Sequence, residues 1–135
     1  MNRPTPFRRP VGVTLIELTV VIMVMLSLAG IGLYFVRGMT KWNRGKDAAE
    51  KLRTVYAAQK AYLADNPTVA VSSLTSTLIL PYMPGGESSI PTVTAENGST
   101  LTLIINVSPP VVNNGSGGTY DPSGSSSDGI WDVGL

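Results

Sequence analysis

The chain contains neither cysteine nor histidine, and each absence removes a class of chemistry. Without cysteine there is no disulfide, no thiolate nucleophile and no thiolate-bound metal. Without histidine the commonest general base and the commonest zinc ligand are also missing. Serine, tyrosine, lysine and carboxylates remain, but the sequence offers no nucleophile–base arrangement. We therefore do not expect an enzyme.

Charged residues are scarce as well, at 14% of 135 residues, compared with about 25% in an average soluble domain. The scarcity comes from an apolar N-terminal run and from a Gly- and Ser-rich stretch at residues 113–129. The formal net charge is +1, so no global field attracts nucleic acid, and we expect no nucleic-acid partner. The length fits one small domain with additional segments.

One long apolar run stands out against this background. It extends from Val13 to Val36, and Glu17 is its only charged residue. As a helix the run would reach about 36 Å, which exceeds a hydrocarbon core of about 30 Å. A charged side chain costs about 2.5–3.5 kcal/mol at the centre of a bilayer and less near its boundary. We expect a transmembrane helix in which Glu17 either snorkels to the membrane boundary or has a partner.

A basic leader precedes the run. Arg3, Arg8 and Arg9 lie in residues 1–12, which contain no acidic residue, as in the first region of a secretory signal peptide. The apolar run is about twice as long as that of such a signal, and no small-x-small cleavage site follows it. Basic residues also follow the run, at positions 37, 41, 44 and 46. The positive-inside rule therefore gives no orientation.

The junction Gly12-Val13-Thr14-Leu15-Ile16-Glu17-Leu18 resembles the class III signal of type IV pilins and type II secretion pseudopilins. In that family a prepilin peptidase cuts after the glycine, and the apolar run stays on the mature protein. The new N-terminal residue is N-methylated, and the fifth residue after the cut is a glutamate. The resemblance implies cleavage after Gly12, a methylated Val13, and a role for Glu17 and Thr14 in subunit register. Val13 stands where the family usually has phenylalanine.

The same resemblance implies a structural subunit that polymerises with copies of itself. The chain would be a single-pass protein of the bacterial inner membrane with a cytoplasmic N-terminus, and then part of a periplasmic or extracellular filament. Implied partners are the prepilin peptidase, a platform protein, an assembly ATPase and minor pilins. Two alternatives stay open: a minor pilin that binds or primes at the filament tip, and a plain single-pass membrane protein. The sequence does not separate a pilus from a pseudopilus.

Cleavage would create a partner for Glu17. It leaves a positive amine on Val13, one helical turn from the carboxylate. In a filament without lipid both charges are buried and must be paired. The natural partner of the carboxylate is the amine of a neighbouring copy, and such a pair fixes register more than it adds stability.

The helical pattern continues past the run to about Ala64, and residues 37–64 are amphipathic. An apolar stripe recurs there at spacings of three and four: Ala48, Leu52, Val55, Gln59 and Tyr62, widened by Tyr56 and Leu63. Pro67 ends the helix, since it disfavours helical geometry in the residue before it. Gly30 and Gly32 weaken the helix within the apolar run. In that family this part of the helix often loosens when the subunit leaves the membrane. Close packing between helices explains small residues such as Gly30 and Gly32 equally well.

Residues 65–135 predict a small β-rich head. Alternation predicts a strand over Thr100–Val107, paired with Thr92–Ala95 through Asn97-Gly98, a hairpin signal because both turn residues need positive φ. A short helix is predicted over Leu74–Leu80. Three segments are candidates for a third strand: Val111-Val112, Thr119-Tyr120 and Ile130-Trp131. The predicted fold is α+β, with a long N-terminal helix packed through its C-terminal half on a small antiparallel sheet.

The Gly- and Ser-rich loop at residues 113–129 predicts a flexible surface segment. Trp131 and Leu135 follow it, and we expect them to pack back onto the head. Some major pseudopilins bind calcium in a C-terminal loop, and the resemblance makes Asp121, Asp128 and Asp132 the candidate oxygen ligands. No EF-hand spacing is present. No other cofactor is expected.

Overall fold

The computed structural model describes residues 12–134. Their main elements are a long helix, α1 (Leu15–Asp65), a short helix, α2 (Ser76–Ile79), and short strands. The chain divides into two compact units between Arg37 and Gly38. The predicted α+β class is confirmed, because the second half of α1 packs on small antiparallel sheets.

The first unit holds the apolar half of α1. All its large apolar side chains between Val13 and Val36 are exposed. Among the described residues, one helix, α1, is long and apolar enough to cross a membrane. The helix passes through Gly30 and Gly32 without interruption, and a Cβ added at either glycine would meet nothing within 4 Å. Loosening of the helix at these glycines stays a prediction.

In the second unit α1 buries one face. Four residues of the predicted stripe are fully buried, and Tyr56, Tyr62 and Leu63 are half-buried. The buried side chains fall into two clusters, one around Leu52 and one around Val55. The first cluster contains Ala48, Leu52, Val93, Val112, Trp131 and Val133. The second contains Val55, Ala58, Leu74, Ile79 and Met83.

The helix ends beside Pro67, as predicted. The backbone N–H and the side-chain amide of Asn66 both donate to the Tyr62 carbonyl at 3.0 Å, satisfying an acceptor at the helix terminus. The Tyr82 hydroxyl donates to Asp65 Oδ2 at 2.8 Å. This bond raises the pKa of Tyr82, because it stabilises the neutral phenol beside a carboxylate. Tyr82 closes a 3-10 turn, Leu80–Tyr82, directly after α2.

The strands form two separate antiparallel pairs instead of one sheet. β1 (Val93–Thr94) pairs with β2 (Thr100–Leu101), and β3 (Leu103–Ile104) pairs with β4 (Val111–Val112). Of the candidates for a third strand, Val111-Val112 supplies β4. Thr119 forms an isolated bridge with Asn113, and Ile130-Trp131 is not a strand.

The single strand predicted over Thr100–Val107 is therefore wrong. Residues 100–101 pair with β1, residues 103–104 pair with β4, and residues 105–107 are in no strand. Pairing ends after Ile104 because a helix side chain binds the carbonyls that follow. Gln59 Nε2 donates to Ile105 O at 3.0 Å and to Val107 O at 2.8 Å. Gln59 is fully buried, so these bonds satisfy its two N–H donors, which would be costly to bury unpaired. Its Oε1 is buried without a hydrogen-bond partner among the described residues. Residues 105–107 are attached to α1 and not to a neighbouring strand.

Candidate functional site

The start of α1 brings together Thr14 and Glu17 of the predicted signal. The Glu17 backbone N–H donates to the Thr14 hydroxyl oxygen at 3.2 Å. The Thr14 hydroxyl in turn donates to Glu17 Oε2 across 3.5 Å. The Leu18 N–H donates to the Thr14 carbonyl at 3.1 Å. Thr14 is thus the N-cap of the helix.

Sequence reasoning missed this cap, although a signal for it was present. Thr14-Leu15-Ile16-Glu17 has the S/T-x-x-E spacing of a capping box ahead of an apolar run. Glu17 also lies in the first helical turn, where the positive end of the helix dipole stabilises a carboxylate. The carboxylate is exposed, so the cap orients Glu17 and leaves it accessible to another group.

Gly12 and Val13 precede the helix in non-helical backbone, and both are exposed. A Cβ added at Gly12 would meet nothing within 4 Å. Among residues 12–134, nothing therefore crowds Gly12 at this peptide bond. The rest of the predicted leader, residues 1–11, lies outside the described residues.

The three candidate calcium ligands each cap a local turn. Asp121 Oδ1 accepts from the Ser123 N–H at 3.1 Å and from its hydroxyl at 2.7 Å. Asp128 Oδ1 accepts from the Ile130 N–H at 2.8 Å. Asp132 Oδ1 accepts from the backbone N–H groups of residues 129 and 134. One carboxylate oxygen of each aspartate therefore already accepts a hydrogen bond from a backbone N–H group nearby in sequence.

Two of these aspartates line one cavity. Asp121 and Asp132 both line a space of about 400 Å³, together with Pro110 and Trp131 among others, whereas Asp128 does not. Asp132 Oδ2 is buried and has no hydrogen-bond partner among the described residues. Residues 12–134 contain no group of three or more acidic side chains arranged to hold a metal ion. The three aspartates are therefore not gathered into one ligand set.

Calcium binding itself stays a prediction. If the ion binds the folded head at the Asp121–Asp132 cavity, it stabilises the head by mass action. We then expect a higher melting temperature in calcium than in EDTA, and Asp132→Asn should remove the difference. Equal melting temperatures in calcium and in EDTA would end this prediction.

Residues 129–134, which include the candidate ligand Asp132, pack against α1. The Trp131 backbone N–H donates to the Gly45 carbonyl at 3.1 Å, and Arg53 Nε donates to the Val133 carbonyl at 2.9 Å. Trp131 is 2% exposed and meets Tyr120 edge-to-face at 5.1 Å. The prediction that Trp131 packs back onto the head is confirmed, while Leu135 lies outside the described residues.

Comparisons with known proteins add no relative. No protein-family model, no curated protein and no solved structure matches the chain. Any functional interpretation therefore depends on residues 12–18, on the apolar run and on the contacts described above.

Proposed function

We propose that the chain is a structural subunit of the pilin or pseudopilin kind, which polymerises with copies of itself into a helical filament. The observation that carries this proposal is Glu17. It is the only charge in the apolar half of α1, its backbone N–H donates to the N-cap Thr14, and it is the fifth residue after Gly12. A lone carboxylate in such a helix is by default functional.

The exposed apolar surface of the first unit supports the same proposal. The side chains between Val13 and Val36 leave a contiguous apolar surface that needs cover. A membrane provides this cover before assembly, and the same segment of neighbouring copies provides it in a filament. We place the chain in the bacterial inner membrane, with its N-terminus in the cytoplasm, before it enters the filament.

The proposed chemistry of assembly is a charge pair between copies. Cleavage after Gly12 gives Val13 an amine, which is positive at neutral pH. Glu17 of one copy would pair with this amine of the next when both leave the membrane. Two unpaired buried charges are strongly unfavourable. Neighbouring copies would therefore assemble only with the axial offset that brings Glu17 of one copy next to the Val13 amine of the other. Peptidase cleavage would thereby switch on polymerisation.

Processing is the most direct test of this proposal. Coexpression with a prepilin peptidase should remove the leader and leave 135 − 12 = 123 residues with Val13 at the N-terminus. Intact-mass spectrometry should find that chain with one added methyl group. The leader-bearing mass should persist in a Gly12→Leu variant, in which a bulky side chain occupies the cleavage position. An unprocessed wild-type chain in the presence of active peptidase would contradict the proposal.

A further inference from the structure

The second unit begins with an exposed mixture of apolar and basic side chains. Met39 is 50% exposed and Trp42 is 52% exposed. Among the described residues of this unit, only Val107 is a further large apolar side chain with comparable exposure. Residues 37–46 contain four basic side chains and no acidic one. We call Met39, Lys41, Trp42, Arg44 and Lys46 the collar.

The hairpin loop between β1 and β2 positions two of the collar's cations. Lys41 Nζ pairs with Glu96 Oε2 at 3.0 Å. Arg44 Nη1 donates to the carbonyls of Ala95, at 3.3 Å, and Glu96, at 2.6 Å. These carbonyls accept from Nη1 but do not neutralise the charge of the guanidinium. Arg44 is therefore fixed in place and keeps its positive charge.

The third cation, Lys46, lies over an aromatic ring. Its Nζ is 5.4 Å from the centroid of the Trp42 ring, within the range of a cation–π contact. The neighbouring acid, Asp47, is paired with Lys51 at 2.9 Å. Within residues 12–134 no carboxylate forms an ion pair with Arg44 or Lys46. The collar therefore carries at least two positive charges that no carboxylate among the described residues neutralises.

We propose that the collar binds the headgroup layer of an anionic phospholipid membrane. It follows directly in sequence on the apolar run, which ends at Val36. Exposed indole rings concentrate at the boundary between membrane and water, where long basic side chains place their charge among the headgroups. Neither Arg44 nor Lys46 has an anionic partner among the described residues. Anionic headgroups would provide that partner. A hydrated surface would explain the cations but not the exposed Met39 and Trp42.

Energy transfer from Trp42 to labelled lipids tests this proposal on the full chain in vesicles. Dansyl-phosphatidylglycerol and dansyl-phosphatidylcholine serve as acceptors in the same vesicle background. We expect the anionic acceptor to be favoured, and Lys46→Gln to lower that preference about fivefold, the value typical of one basic residue near such a surface. Trp42→Phe measures the background signal of the buried Trp131.

Lys60 provides a matched control. Its Nζ also lies over an aromatic ring, 4.2 Å from the Tyr56 centroid, but it follows the apolar run at a greater distance in sequence. Lys60→Gln should leave the lipid preference unchanged. Equal transfer to both lipids, or equal effects of Lys46→Gln and Lys60→Gln, would overturn the proposal.

A protein partner in place of lipid gives a different result. In that case the burial of Trp42 would depend on the ratio of protein to lipid and not on the content of anionic lipid. Such a result would assign the collar to contacts between copies and contradict a lipid site. The experiment uses unassembled chains. Its outcome is therefore independent of whether the chain forms filaments.

Discussion

Replacing Glu17 by glutamine is expected to abolish filament assembly while the chain remains in the membrane and is still cleaved after Gly12. Glutamine keeps the length of the side chain and can still accept a hydrogen bond from Thr14, so the helix start survives. It removes the charge proposed to pair with the Val13 amine of the next copy. Removing one partner of a buried ion pair costs about 3–5 kcal/mol, which lowers the association constant at least about 100-fold.

The measurement is the amount of sheared filament per cell, with electron microscopy to recognise the filaments. Glu87→Gln is the matched control, because it neutralises an exposed glutamate on the head and should leave assembly intact. Thr14→Ala removes the cap alone, which typically costs about 1 kcal/mol of helix stability. Normal filaments from Glu17→Gln would show that Glu17 acts only at the helix start and would refute the charge pair.

Replacing Gly45 by alanine is expected to destabilise the head, although alanine normally stabilises a helix. A Cβ at this position would overlap Ile130 Cγ2 and lie 2.8 Å from Trp131 Nε1. Overpacking of this kind costs about 1–3 kcal/mol, and the better helix propensity of alanine offsets only about 1 kcal/mol. The melting temperature should fall by about 4–8 °C for each kcal/mol of net loss.

Gly38 is the matched control on the same helix. A Cβ added there meets nothing within 4 Å, so Gly38→Ala should raise the melting temperature through helix propensity alone. In a Trp42→Phe background, Trp131 fluorescence follows both unfolding transitions, since this ring is a buried member of the first cluster. A shift of the melting temperature in the same direction in both variants would mean that residues 129–134 do not pack against Gly45.

The helices were predictable because their signals are local. The apolar run, the amphipathic stripe around Leu52 and the stop at Pro67 depend on residues within a few turns of one another. The hairpin at Asn97-Gly98 was found for the same reason, but its turn type was wrong. Gly98 has φ +91°, whereas Asn97 has no positive φ. Asn97 Oδ1 accepts instead from the Ser99 N–H and hydroxyl.

The strands were less predictable because distant residues decide where they end. The sequence alternates from Thr100 to Val107, yet Val107 is 40% exposed. Gln59 binds the carbonyls of Ile105 and Val107 from 46 and 48 positions away. The position of Gln59 in an apolar stripe did not indicate that its side chain binds these carbonyls. The candidate site divides in the same way. The cap at Thr14 follows from spacing, whereas the contact of Trp131 with Gly45 depends on residues 86 positions apart (131 − 45).

The attachment of residues 129–134 to Gly45 and Arg53 has a consequence for biosynthesis. The bond from Arg53 to Val133 joins residues 80 positions apart. At about 5–20 residues per second, the ribosome takes about 4–16 s to make the intervening chain. Throughout that interval Trp131 is absent, and Ala48 and Leu52 lack one of the side chains that later packs with them in the first cluster. The nascent head therefore passes through a stage in which α1 exposes apolar surface on both sides of Arg37, and this stage is where chaperone binding or aggregation competes with folding.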